Sequence, residues 1–146
     1  MKSIGTIGMV LHHKGDKVWA VSPDISVFEA IRILAEKNIG ALPVVENGRL
    51  MGIFSERDYV RKVDLEGRSS SQTLVREVIS SPVISITPEQ TIEEAMRLMT
   101  DKHIRHLPVL KDGNLAGMAS IGDLVNWIIS AQTSTIDQME AYISGR

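Results

Sequence analysis

The sequence contains no cysteine, which removes disulfides and thiolate metal sites from consideration. Aromatic residues are scarce: two Trp, two Tyr and two Phe are too few to build a base-stacking surface. Neither sign of charge dominates, since 16 Lys and Arg face 18 Asp and Glu, so there is no electrostatic footprint for nucleic acid. Long hydrophobic runs are missing too. The stretches Ile4 to Leu11 and Leu124 to Ile129 are interrupted and fall well short of a membrane span. The N-terminal stretch has one Lys and no apolar h-region, so no signal peptide is read there and a cytoplasmic location is expected. The 146 residues fit one compact domain or two very small ones. A chain of that size buries roughly 70% of its unfolded surface, enough for a core without staples.

The chain is a repeat. Pro23 and Pro88 stand 65 residues apart, and that offset holds without a gap to Val60 and Val125. Leu42-Pro43-Val44 meets Leu107-Pro108-Val109; Gly48, Leu50 and Gly52 meet Gly113, Leu115 and Gly117; Ser55 and Asp58 meet Ser120 and Asp123. From Val21 to Val60 there are 15 identities in 40 positions, where chance at ordinary composition gives about two or three.

Each copy carries the same local signals. The short apolar, β-branched segments 18–22 and 83–87 predict strands. Val27, Ala30, Ile31 and Leu34, like Ile92, Ala95, Met96 and Met99, fall at i, i+3, i+4 and i+7 and predict one-faced helices. Ser26 and Thr91 stand where N-caps belong. Asn47-Gly48 and Asp112-Gly113 each divide two apolar runs, a hairpin signal. A second helix follows Ser55 and another follows Ser120. The expected unit is β-α-β-β-α, an α/β (α+β) fold in which two repeats pack sheet to sheet to bury what neither can bury alone.

The expected division runs 1–65 for the first repeat with its N-terminal segment, 66–132 for the second with a polar connector, and 133–146 for a C-terminal amphipathic helix. That last helix is read from Thr135 and Gln138 at capping-box spacing and the stripe Ile136, Met139, Ile143.

The terminal strings "GIFSERDYVR" and "GMASIGDLVN", with "IGALPVV" and "IRHLPVL" before the hairpins, resemble the cystathionine-beta-synthase (CBS) domain pattern. The resemblance covers the chain from about Val18 to Val125, and stand-alone two-domain members of bacteria and plant organelles look most similar. It implies a flat pseudo-two-fold disc with two equivalent clefts, where many members bind AMP, ATP, NAD or S-adenosylmethionine and some bind nothing known. One cleft would use Ser55, Arg57 and Asp58 with Thr87 from the other copy. The second would use Ser120, Gly122 and Asp123 with Ser22. The positions before the Leu-Pro-Val strand that contact phosphate in nucleotide-sensing members are Arg105 and His106, expected beside the Ser120–Asp123 turn of the same copy; their first-copy counterparts are Gly40 and Ala41.

The residue chemistry fits that implication and also a blander one. A carboxylate such as Asp58 or Asp123 offers acceptors to both hydroxyls of a ribose, and Ser55 and Ser120 open helices whose free amides welcome phosphate. Ser-x-x-Asp at a helix start is equally an ordinary capping pair. Arg57 and Arg61 lie one turn apart and could both meet an anion, or simply be solvated. Arg105 as a fork and His106 as a titratable donor could hold phosphate, or form a solvated basic patch. His12, His13, His103 and His106 make no recognisable metal set, and neither a nucleophile elbow nor a phosphate-binding glycine loop is present.

The sequence therefore predicts a non-enzymatic, adenine-nucleotide-binding regulatory module. AMP is placed ahead of ATP or NAD, with no catalytic cofactor, homodimeric assembly and a regulated enzyme as partner. The alternative is a structural adaptor with vestigial clefts.

Overall fold

A computed structural model describes residues 4–15, 17–79 and 83–143, the side chains of 133–138 and 141–143 excepted. Both repeats form the same local structure for the same reasons. Helix α2 (Val27–Lys37) starts at Ser26, whose hydroxyl accepts the Glu29 amide at 3.1 Å. Helix α4 (Ile92–Lys102) starts likewise at Thr91, which accepts the Glu94 amide at 3.1 Å. Both stop at a left-handed residue, Asn38 (φ 53°) and His103 (φ 55°). Hairpins follow. Strands β1 (Ala41–Glu46) and β2 (Arg49–Ser55) pair antiparallel, as do β3 (His106–Lys111) and β4 (Asn114–Ser120). Their turns put both central residues at positive φ, Asn47 and Gly48 at 51° and 77°, Asp112 and Gly113 at 52° and 80°, the geometry that Asn-Gly and Asp-Gly adopt cheaply. Strand β2 lies against β4 across the repeat interface.

Three expectations need correction. Segments 18–22 and 83–87 do not form strands. Each contributes one parallel bridge, Val21 to Val44 and Ile86 to Val109, so each sheet has two named strands. Only the residue facing the bulged position of the hairpin finds ladder partners; Val45 and Leu110 donate back to Val21 and Ile86 at 2.9 and 2.8 Å. Second, the two repeats end differently. After β2 comes a four-residue helix α3 (Glu56–Tyr59) continuing as a π-helical turn, Val60–Asp64, whereas after β4 a single helix α5 runs from Ile121 to Ile143. The tail helix read as opening at Thr135 is thus continuous with the helix before it. Among that expected stripe, Ile136 and Ile143 lie outside the described side chains; Met139 is exposed.

Third, the hydrophobic cores cross the boundaries read along the chain. Val75 and Val78 of the connector sit in the first core, with Val27, Leu42 and Phe54. Ile7 and Val10, which precede the first repeat, sit in the second core with Ile86, Leu107 and Leu124. Helix α1 (Ile7–Lys14) is docked there by backbone bonds from Ile7 to Gln90 and Gly8 to Pro88, both 2.9 Å. The connector docks on the first repeat in the same manner, Val75 donating to Ile25 at 3.0 Å.

Candidate functional site

Where β2 and β4 run into their helices, each Ser-x-x-Asp pair closes a reciprocal cap. Ser55 Oγ accepts the Asp58 amide at 3.2 Å while Asp58 Oδ2 accepts the Ser55 amide at 2.9 Å. Ser120 Oγ accepts the Asp123 amide at 3.1 Å while Asp123 Oδ2 accepts the Ser120 amide at 2.9 Å. Capping fixes each carboxylate by one oxygen at the mouth of a cleft.

The two clefts are related by the repeat offset. The larger, about 870 Å³, is lined by Ile53, Ser55 and Asp58 from the first repeat and by Val83, Ile84 and Lys102 to His106 from the second. The smaller, about 280 Å³, is lined by Met118, Ser120 and Asp123 from the second repeat and by Val18, Trp19 and Asn38 to Ala41 from the first. Ligand sites typically span about 300–1,000 Å³; the larger cleft lies well inside that range and the smaller at its lower edge.

The cleft partners of the basic residues differ from the sequence reading. Arg105 does not stand with Ser120 and Asp123. It lines the larger cleft opposite Ser55 and Asp58, together with Arg57, Arg61, Lys62 and Lys102. The reason is geometric: each cleft joins the cap of one repeat to the helix-to-strand loop of the other, and Arg105 belongs to the second loop. Arg57 spans the join, donating from Nη1 to the His103 carbonyl at 3.0 Å. His106 opens β3, opposite Ser120, and faces both clefts. Burial, the largest influence, holds its imidazole below the ordinary value of 6.5; Lys14 and Arg105 act in the same direction, against Asp123 and Glu56.

Three expected contributors line neither cleft. Ser22 accepts the Asp24 amide at 3.1 Å within its own turn, and the Thr87 amide donates to Gln90 Oε1 at 2.9 Å. A methyl group at Gly122 would stand 3.7 Å from Ser120 Oγ, an ordinary contact. The helix-start amides are also less available than expected, since Glu56 donates to the Gly40 carbonyl at 3.1 Å and Ile121 to the Arg105 carbonyl at 2.9 Å.

Four lysines line the clefts beyond the residues the sequence points to, Lys62 and Lys102 in the larger and Lys14 and Lys17 in the smaller. Lys14, the last residue of α1, donates from Nζ to Asp123 Oδ2 at 2.7 Å and to the Met118 carbonyl at 2.8 Å. Burial by itself raises the Asp123 carboxyl, but Lys14 and the Ser120 amide outweigh it and hold the group below its ordinary 3.8. The signal was present: Ile7, Val10, Leu11 and Lys14 occupy i, i+3, i+4 and i+7, so the ammonium sits on the docking face and needs an anion there.

A family model described as CBS domain matches residues 15–64 and again 75–130. The CBS domain-containing protein CBSX3, mitochondrial, of Arabidopsis thaliana is 39% identical over 150 residues, covering 96% of this chain and 72% of the relative. A solved putative signal-transduction protein with CBS domains from Burkholderia ambifaria MC40-6 is 44% identical with a TM-score of 0.82, covering 86% of this chain and 94% of that one. The CBS domain pair of protein MJ0100, solved in complex with 5-methylthioadenosine and S-adenosyl-L-methionine, shares the fold at a TM-score of 0.75, 21% identity and coverage of 86% and 96%.

Proposed function

The chain belongs to the CBS-domain family, and on that premise we propose that it is a regulatory module without catalysis of its own, binding an adenosyl nucleotide between its repeats. AMP is the first candidate, with ATP or NAD behind it. The observation that carries this reading is the cation set of the larger cleft. Arg57, Arg61, Lys62, Lys102 and Arg105 converge on a cavity whose acids are Glu56 and Asp58. Such a surplus in a half-enclosed space attracts phosphate oxygens, while the capped Asp58 is positioned for a ribose diol. A related pair crystallised with adenosyl compounds supports the ligand class.

Occupancy would tie the two repeats together across the Arg57 and Arg105 join and so alter the surface offered to a regulated enzyme. Native mass spectrometry of freshly purified protein tests the reading: a retained nucleotide appears as a mass shift.

Assembly belongs to the same proposal. Among the described residues Val125, Ile129 and Met139 of α5 are exposed, Ile129 at 54%. Such patches favour an interface, and two-fold dimers are the commonest closed form. The competing adaptor reading rests on that same surface. A cytoplasmic location is kept as part of the proposal, to be tested by fractionation; no helix of the described residues is long and apolar enough to cross a membrane.

A further inference from the structure

The smaller cleft differs from its counterpart in more than size. Its carboxylate is held by a cation from outside the repeat, whereas Asp58 pairs with Lys62 of its own helical segment at 3.3 Å. Lys14 commits two of its three ammonium protons, one to Asp123 Oδ2 and one to the Met118 carbonyl. The pair is only partly screened: the side chains of Lys14 and Asp123 are 37% and 22% exposed. Helix α1 is fixed behind it by Ile7 and Val10 in the second core and by Leu11, which packs against Gly117. The ammonium is thereby delivered to the cleft by a rigid support rather than by a loose tail.

A ligand whose diol takes Asp123 must share or displace that ammonium, and the displaced charge then needs an anion. A phosphate ester brings one. A neutral nucleoside does not, and an adenosyl sulfonium brings a second positive charge into the same space. Resting on the nucleotide-binding reading above, we propose that Lys14 is the residue that sets ligand selection in the smaller cleft, admitting phosphate-bearing adenosyl ligands and rejecting neutral or cationic ones.

Calorimetric titration with AMP, adenosine and S-adenosylmethionine tests this on wild type and on the Asp58→Asn variant, which weakens the larger cleft. Circular dichroism confirms that each variant is folded. Lys14→Met should weaken AMP at the smaller cleft by about tenfold or more, the value of a lost hydrogen bond to a charged group. Adenosine and S-adenosylmethionine should bind several-fold more tightly to the same variant, because Asp123 is no longer occupied. Lys14→Arg should restore the wild-type order. An AMP-to-adenosine preference unchanged by Lys14→Met overturns the role of Lys14 and leaves nucleotide binding standing. Absence of binding by all three probes to wild type overturns both.

Discussion

The His106 imidazole lies directly over Gly40, so that a methyl group at position 40 would stand 3.0 Å from Nε2 and 3.1 Å from Cε1. This contact puts the loop of one repeat against the loop of the other, at the wall common to both clefts. Gly40→Ala should therefore overpack the join, costing roughly 1–3 kcal/mol and lowering the melting temperature. His106→Ala should relieve most of that loss. Thermal unfolding of both single variants and the double variant should give a non-additive cycle; simple additivity would mean that the two residues do not press on one another.

The pH dependence has a definite sign. The His106 imidazole is held below 6.5, first by burial and then by Lys14 and Arg105, with Asp123 and Glu56 pulling the other way. A depressed folded value stabilises the fold above the unfolded pKa, and this contribution is lost as pH falls from there through the folded value. Unliganded protein should weaken below about pH 6.5 for this reason. A phosphate beside the ring reverses the preference, so AMP should bind more tightly over the same descent. Titrations at about pH 6 and about pH 8 on wild type and His106→Ala measure both trends. A pH dependence that survives the substitution assigns it to another group.

Asp123 titrates lower, with its carboxyl held below 3.8 despite burial because Lys14 and Ser120 stabilise the charged form. The stability it adds is present above that ordinary value and is lost as pH falls through its own. Asp123→Asn should be less stable than wild type near neutrality, and the gap should narrow in acid below about pH 4. Denaturant unfolding at both pH values checks this. A gap that stays constant would show that the Lys14 pair contributes nothing measurable, the common fate of exposed pairs.

The docking of α1 is tested at Gly117, where an added methyl would meet Leu11 Cδ2 at 2.9 Å. Gly117→Ala should shift α1 and destabilise the second core by about 1–3 kcal/mol, a melting-temperature loss of roughly 2–4 °C per kcal/mol at this chain length. The smaller cleft should then lose more AMP affinity than the larger. Equal effects on both clefts would contradict the support assigned to α1.

How much of this was legible in the sequence follows from which interactions are local. The N-caps, the left-handed hairpin turns and the helix faces depend on neighbours within a few residues, and Ser26, Asn47 and Ala30 announce them directly. The helix-to-strand loops meet across the interface between repeats, 65 residues apart, and no periodicity shows which cap each loop faces. Along the chain Arg105 therefore reads as a neighbour of Ser120, whereas in space it faces Ser55 and Asp58. Segments 18–22 and 83–87 have strand composition but bridge through one residue each, because ladder pairing depends on the bulged hairpin they meet. Lys14 was readable only by asking why a cation should follow three apolar residues on one helical face.

The most direct measurement is an AMP titration of wild type, Asp58→Ala, Asp123→Ala and Arg105→Ala by calorimetry. Wild type should give saturable heat with the nucleotide recovered intact. Asp123→Ala should weaken the smaller cleft by roughly 3 kcal/mol, over a hundredfold, if two charge-assisted hydrogen bonds are lost. Asp58→Ala and Arg105→Ala should instead damage the larger cleft together, as residues of one site. If AMP, ADP, ATP, NAD and S-adenosylmethionine all fail to bind wild type below millimolar concentration, nucleotide sensing is contradicted and the adaptor reading takes its place.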